Sequence, residues 1–487
     1  MKCILPYAVA ILVFFNASLG WSGEKYEQET VLLESSAPLT PEELFEIAQR
    51  HNPDHQKSIL TSTLSGVGLR SAWGTLLPVL DVGFQISQSN YYNPTFTNPD
   101  GSVATYPIVQ ESFQSVYDTL DNGHVVVGWD PNNPVSVTYP VPEGKSRASL
   151  GWVSLRETIY LGGQQLFTIK NAFLQKRMND LQVSSSQINL FYNVRQTYYN
   201  TLAQKHLLEL ANRVLEQKRE QLRLAQVRYE VGSVTELDVL QAEIDVGNQE
   251  NEVIAAENEL KMARESLNQV LGVDLDSRYE LVDNFAIFKP EFELDTIIQE
   301  TLHSRPDLEI YQKQESYQRN LVHSRRGEFL PNLSASVSHS RSENSGANVD
   351  FTLRPRNRNT QTSLSLSWNL FSGFSDEAQY QESRVSLRNA QHDLKKQEQA
   401  VEKEVRAAYY TLQQTYEQSK VTQKNRELAS RQLALEQERY RLGATSQLNL
   451  RAAQVTYEQA ESDYIAKVFN FWSNLATLEK AVGEKLH

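Results

Sequence analysis

Cysteine is almost absent from this 487-residue chain. Its one cysteine, Cys3, allows neither a disulfide framework nor a cysteine-based metal site. The nine histidines are scattered without ligand spacing. A basic surplus is missing too. The net charge is −13, which disfavours a nucleic-acid partner, since such a partner needs a basic face or stripe. Beyond the N-terminus no apolar run approaches the roughly 20 residues of a membrane helix. Glycine and proline are withheld over long distances: residues 163–231 hold no proline and, after Gly163, no glycine until Gly232. A chain so punctuated consists of a few large elements.

The N-terminus reads as a secretory signal. Lys2 supplies a positive start, Ile4 to Phe15 are almost wholly apolar, and Ser18 and Gly20 are small residues suited to cleavage before Trp21. A single membrane anchor is the rival reading, and the run is short for it. Residues 1–20 are therefore expected to be the signal and 21–39 an N-terminal extension. Cys3 precedes the apolar run, which places it badly for lipid attachment. Export without an inner-membrane helix leads to the periplasm, the outer membrane or the exterior.

The chain repeats itself. The segment VRYEVGSVTEL at 227–237 returns as ERYRLGATSQL at 438–448, an offset of 211. The same offset takes Gly162 to Gly373, Arg195 to Arg406, Tyr198–Tyr199 to Tyr409–Tyr410, and Gly272 to Gly483. Upstream, Asn52–Pro53–Asp54 matches Arg305–Pro306–Asp307 and Leu77–Pro78 matches Leu330–Pro331, now 253 apart. The difference of 42 residues is extra sequence in the first copy, between about 84 and 150. The first copy is assigned to 40–272, a linker to 273–293 and the second copy to 294–487. Chance similarity between Gln- and Glu-rich helices would not keep glycines and aromatics in constant registration.

Residues 163–231 carry apolar side chains at helical spacing, among them Ile188, Phe191, Tyr198 and Leu202. At 1.5 Å per residue such a helix is roughly 100 Å long. The second copy repeats it over 374–442. This length implies a coiled-coil-like or tubular assembly. Shorter helices are expected at 235–271 and 445–482, and at about 40–76 and 294–329. Thr40 and Pro41 mark a helix start.

Four segments instead alternate with period two. Leu80, Val82, Phe84 and Ile86 follow Pro78, and Leu333, Ala335 and Val337 follow Pro331. In TSLSLSWNLFSG, Leu364, Leu366, Trp368 and Leu370 oppose Ser363, Ser365, Ser367 and Asn369. Around 150–161 Glu157 interrupts Val153, Leu155 and Ile159. One apolar and one small polar face suit a transmembrane barrel with a wet interior. A soluble sandwich alternates as well, but four strands are few and each adjoins a very long helix. Four strands cannot close a barrel, and lipid does not tolerate an open edge. Closure then falls to several subunits, and the residues do not choose three over four. Loop 88–149 holds the extra residues and is dense in turns. Loop 340–360 carries Arg341, Arg354, Arg356 and Arg358, read as a solvated surface facing lipopolysaccharide.

Over about 40–487 the chain resembles the TolC-type outer-membrane efflux family. The resemblance rests on the Asn-Pro-Asp and Arg-Pro-Asp triplets, the Leu-Pro turns into strands, WNLFSG at 368–373, the tyrosine pairs and the two helix turns at Val231–Gly232 and Leu442–Gly443. It implies a mixed α/β membrane protein: a homotrimer whose 12-stranded β-barrel, four strands per chain, continues into a long α-helical coiled-coil barrel. It further implies the outer membrane of a Gram-negative bacterium, a large periplasmic part and contact with outer-membrane lipid. The implied partners are a periplasmic adaptor (membrane fusion protein) and, through it, an inner-membrane pump or ABC secretion transporter. No cofactor, metal or nucleic acid is implied.

Gly232 and Gly443 would then be the tips of helical hairpins at the periplasmic mouth, glycine being suited to the reversal. The family often carries a ring of aspartates there, one and two turns beyond the glycine. Here those positions are Asn449 and Ala452, with Arg451 between them as the only formal charge, so these three are the candidate constriction. Asp238 and Tyr440 fall where relatives hold neighbouring helices closed by hydrogen bonds, and are the candidate latch. An enzyme is disfavoured, because pairs such as Glu236 and Asp238 arise freely on solvated helices. A periplasmic structural or adhesive coiled coil without a pore is the alternative. Efflux and type I protein secretion share this design, and the residues do not separate them.

Overall fold

The computed structural model describes residues 32–91, 95–97, 100, 103–105, 108–119, 125–139, 144–283, 286–345 and 357–486. The signal segment, Arg354 and Arg356 lie outside these. The described residues form two compact units, one drawn from Met1–Ser65, Gln175–Glu315 and Asn389–His487, the other from Gly66–Leu174 and Ser316–Arg388.

Proline decides where the shorter helices break. In place of one helix over 40–76 there are α1 (Pro41–His51) and α2 (Pro53–Gly74), after strand β1 (Glu34–Leu39). Further strands β2 (Val79–Tyr91), β3 (Thr95–Thr97), β4 (Val103–Thr105), β5 (Ile108–Thr119), β6 (Val125–Tyr139) and β7 (Gly144–Leu161) precede helices α3 (Gln164–Glu230) and α4 (Glu236–Leu271). Strand β8 (Arg278–Leu281) lies in the linker. The second copy supplies α5 (Leu294–Ser304), α6 (Pro306–Arg326), β9 (Asn332–Ser345), β10 (Asn357–Ser367), α7 (Ser375–Arg441) and α8 (Gln447–Val482). The helix expected over 294–329 is thus also two. Asn52 and Arg305 are extended, at ψ 120° in each case, because a following proline ring clashes with helical backbone.

Each break is put to use. The Asn52 side-chain amide donates to the Val270 carbonyl at 2.8 Å, and Arg305 donates to the Ala481 carbonyl at 2.8 Å. Val270 and Ala481 are 211 apart, so both copies cap the end of a 36-residue helix from the residue before the proline. Asn52 also accepts from the His55 N–H, and Asp307 accepts from the Leu308 N–H, both at 2.9 Å. The helix ends that proline creates are thereby satisfied.

The tyrosine pairs fasten the linker in the same unit. Tyr198 donates to the Val282 carbonyl at 2.8 Å, and its repeat counterpart Tyr409 donates to the Phe292 carbonyl at 3.1 Å. Burial pushes the Tyr198 phenol well above its ordinary range and keeps it a donor. Strand β1 adds a parallel pairing to β8. The surrounding core is apolar, with Leu44, Val194, Leu202, Leu412, Phe471 and Leu475 fully enclosed. Arg195 and Glu479 form a buried ion pair within it, held further by the Leu486 N–H on Glu479 at 3.0 Å.

The other unit holds one antiparallel sheet in the order β10-β9-β7-β2. Its two hairpins come one from each copy and join along β7 and β9. Glu157 does not end β7, which is a central strand paired on both sides. Residues directly opposite in an antiparallel pair share a face. One face therefore collects Leu80, Val82, Phe84, Val153, Leu155, Val337, Leu364 and Leu366, all exposed in the single chain. The other collects Ser334, Ser336 and Ser338 beside Ser363, Ser365 and Gln361, with the Ser336 and Ser363 hydroxyls hydrogen-bonded at 2.7 Å.

Three expectations need correction here. Strand β10 ends at Ser367, so Trp368 and Leu370 lie outside it. The Trp368 indole instead donates to the Phe329 carbonyl at 3.0 Å as the chain turns into α7. Loop 88–149 is not only turns: it contains β3 paired to β4 and β5 paired to β6, as its Val, Thr and Tyr content favours. Loop 340–360 is also shorter, since β9 runs to Ser345 and β10 begins at Asn357.

The capped junctions predict unequal costs for equivalent substitutions. Gly272 and Gly483 both have left-handed backbone, at φ 74° and 86°. A Cβ on Gly272 would lie 2.3 Å from the His51 carbonyl oxygen, whereas on Gly483 nothing comes nearer than 3.9 Å. Gly483→Ala should cost about 1–2 kcal/mol from backbone strain alone. Gly272→Ala should cost clearly more, read as a larger drop in thermal midpoint by circular dichroism. Equal drops would mean that the junction yields freely.

Candidate functional site

The two helical reversals are built alike. After α3, Gly232 takes φ 72°, its N–H reaching the Tyr229 carbonyl at 2.9 Å while Ser233 N–H reaches Arg228 at 2.8 Å. After α7, Gly443 takes φ 74°, bonding Tyr440 at 3.0 Å while Ala444 bonds Arg439 at 2.7 Å. This double bond pattern closes a helix end and requires the left-handed residue. Both turns expose matched apolar side chains: Val231 and Leu237 on the first, Leu442 and Leu448 on the second, each about 70% accessible.

Asp238 serves the start of α4. Its carboxylate accepts from the Thr235 N–H at 2.9 Å and from the Thr235 hydroxyl at 2.8 Å. The Thr235 backbone N–H, with help from the hydroxyl, holds the carboxyl below its ordinary range. Asn449 occupies the equivalent place on α8, its N–H donating to the Ser446 hydroxyl at 3.3 Å and its amide to Thr445 at 3.1 Å. Asp238 is thus engaged by its own helix cap. Tyr440 is engaged elsewhere: the Arg228 guanidinium lies over its ring, 4.6 Å from the centroid. The ring packs against Leu433, Leu450 and Ala453.

Arg451 is not an isolated charge. It pairs with Asp245 at 2.9 Å, joining α8 to α4, and Asp245 is only 14% exposed. Ala452 is exposed and its carbonyl accepts from the Thr456 hydroxyl at 2.8 Å. Further along, Lys218 on α3 faces Glu458 on α8 at 3.8 Å. Burial lifts the Glu458 carboxyl above its ordinary range, opposed by Lys218 and aided by Asp245. Glu461 on α8, almost fully buried, takes Arg426 of α7 at 2.6 Å and Arg213 of α3 at 3.8 Å. The Arg228–Tyr440, Arg451–Asp245, Lys218–Glu458 and Arg213–Glu461 contacts form a ladder between the first helical hairpin and the second.

Most of this ladder was missed in the sequence, though the duplication carries a signal for it. Four of its charges have uncharged counterparts in the other copy: Lys218 against Ala429, Asp245 against Thr456, Arg451 against Leu240 and Glu458 against Gly247. A charge present in one copy alone, in otherwise matched helices, marks where the copies meet. Among the described residues no cluster of His, Cys, Asp or Glu suits a metal ion.

Known proteins share the fold. The family model described as outer membrane efflux protein matches residues 142–273 and 297–484. Among the curated proteins none matches the sequence. Solved structures share the fold at low identity. The CmeC outer membrane channel of Campylobacter jejuni is 15% identical, with a TM-score of 0.71 over 92% of this chain and 87% of that one. CusC is 14% identical, with a TM-score of 0.71 over 93% and 100%. The open state of the MtrE outer membrane channel of Neisseria gonorrhoeae is 15% identical, with a TM-score of 0.68 over 92% and 89%.

The cap at Asp238 makes a pH prediction with a definite sign. A carboxylate whose folded pKa is depressed contributes order above its unfolded pKa of about 3.9 and loses it as pH falls through the lower folded value. Amide exchange at Thr235–Leu237 should therefore accelerate relative to the rest of α4 below about pH 4. Asp238→Ala should produce that acceleration already at neutral pH, with α3 unchanged. Uniform exchange along both helices in the variant would remove the cap assignment.

Proposed function

Because this chain belongs to the outer membrane efflux protein family, we propose that three copies form an outer-membrane export duct. The observation that carries the reading is the sheet β10-β9-β7-β2, with one apolar and one hydroxyl-bearing face and two unpaired edges. In lipid an unpaired strand edge is too costly to persist. Pairing β10 of one copy with β2 of the next removes both edges, and three copies give twelve strands under cyclic symmetry. The apolar face would meet lipid and the serine face water. The helices would continue the passage through the periplasm of a Gram-negative cell as a coiled-coil barrel. The chain supplies the passage, and an inner-membrane pump or ABC secretion transporter supplies the drive.

The matched apolar tips, Val231 with Leu237 and Leu442 with Leu448, support docking to a periplasmic adaptor, since exposed apolar patches mark interaction sites. The charge ladder supports a gate near these tips, where Arg451, Asn449 and Ala452 would border the constriction. Tyr440 would act in it with Arg228, and Asp238 would keep the adjoining turn in shape. A pore-less adhesive coiled coil would have no use for a sheet apolar on one face and edged on both sides.

The detergent-extracted protein should give a trimer by native mass spectrometry and discrete conductance steps in planar bilayers. Arg451→Asp should raise conductance by placing two acids together. Exchanging the charges, Arg451→Asp with Asp245→Arg, should return it most of the way. A stable monomer that inserts alone would overturn the duct. Trimers whose conductance ignores both variants would overturn only the gate.

A further inference from the structure

Two of the arginines in the segment 340–360 are strand residues that face each other. Arg341 on β9 and Arg358 on β10 are direct cross-strand partners. Their side chains leave the sheet on the same side, with Cβ atoms about 5 Å apart. That side is the apolar one. Successive cross-strand pairs along it read Leu333–Leu366, Ala335–Leu364, Val337–Thr362, His339–Thr360 and Arg341–Arg358. Side-chain bonds agree with the facing: His339 meets the Thr360 hydroxyl at 2.8 Å, and Arg341 reaches His339 at 3.4 Å. Along β9 and β10 this face thus passes from apolar side chains through threonine and histidine to paired guanidinium groups, with Glu157 of β7 opposite Ala335 at its other end. The nine residues from Leu333 to Arg341 match the 9–11 of a tilted strand crossing the hydrocarbon layer.

Like charges directly opposite across two strands destabilise the pairing unless an anion lies between them. Among the described side chains neither guanidinium is paired with a carboxylate, and the chain places one acid near them, Glu343, at the next position of β9 on the same face. The neighbouring strand would not supply another. The strand that closure would set beside β10 is β2, VLDVGFQISQSNY, whose one acid, Asp81, stands at its far end on the opposite face. One acid cannot neutralise two guanidinium groups, and an external anion can meet the charge that remains.

We propose that Arg341 and Arg358 bind the phosphoryl headgroup of a membrane lipid whose acyl chains lie on the apolar rows below. Guanidinium forks match phosphate oxygens two at a time, and arginine is the residue suited to such recognition. Continuity of the pair with the apolar face selects a lipid-borne phosphate over a free one. The assignment rests on the membrane-duct reading above and extends it by naming the lipid chemistry and its ligands.

The test uses the delipidated, detergent-extracted full chain and native mass spectrometry. The probes are bisphosphorylated lipid A, the same lipid with its phosphates removed, and inorganic phosphate. The parent should retain the phosphorylated lipid, while Arg341→Gln with Arg358→Gln should weaken retention at least about tenfold. The lysine pair, Arg341→Lys with Arg358→Lys, should fall between, keeping charge without the fork. Equal retention by parent and glutamine variant, with the oligomer intact, would overturn the proposal and leave the duct standing. So would equal retention of the dephosphorylated lipid, or preference for inorganic phosphate. Failure of the parent itself to form an inserted oligomer would instead count against the duct.

Discussion

A backbone amide or carbonyl facing lipid without a partner costs several kcal/mol, and in the proposed duct this requirement would govern the chain. Four strands pair internally along three ladders and leave two edges. A single copy cannot meet that demand in a membrane. In the proposed duct the oligomer would thus be set by hydrogen-bond satisfaction in the sheet, and the helices would inherit its symmetry. The same requirement recurs at the helix ends, where Asn52 and Arg305 reach across to Val270 and Ala481. In both places a gap in backbone pairing is closed by a partner distant in sequence.

Duplication explains why the two halves solve each problem alike, and its lapses show where they divide labour. Tyr198 and Tyr409 both hold the linker. Arg195 and Arg406 do not act alike: the first is buried against Glu479, while the second makes an exposed pair with Glu402 one helical turn away. Buried ion pairs contribute little net stability against an apolar alternative, but losing one partner is expensive. Arg195 is therefore a point of fragility that its counterpart is not.

The large elements were legible because their signals are local and periodic. Both 67-residue helices are bounded within a residue of where glycine spacing places them. The breaks at Asn52 and Arg305 were legible in principle, since proline forbids the preceding helical turn, yet the continuous apolar pattern outweighed them in the reading. Trp368 extended the alternation past the end of β10 because its indole partner, the Phe329 carbonyl, is 39 positions away. The ladder at the hairpins was hidden for a similar reason. Lys218, Asp245 and Glu458 look like solvated charges until the two copies are set side by side.

The polar face of β9 and β10 carries serine at Ser334, Ser336, Ser338, Ser363 and Ser365. In the proposed duct this face is the wall of the bore. Serine is short, uncharged, and both donates and accepts hydrogen bonds. Such a wall holds a film of water and offers no fixed charge with which to attract or repel a passing solute. The fixed charges of this face stand on the other two strands, Arg156 opposite Ser336 and Asp81 opposite Ser154. Any preference for the sign of a charge would be imposed there, or earlier on the route among the arginines and acids of the helices, while β9 and β10 would sort cargo by girth.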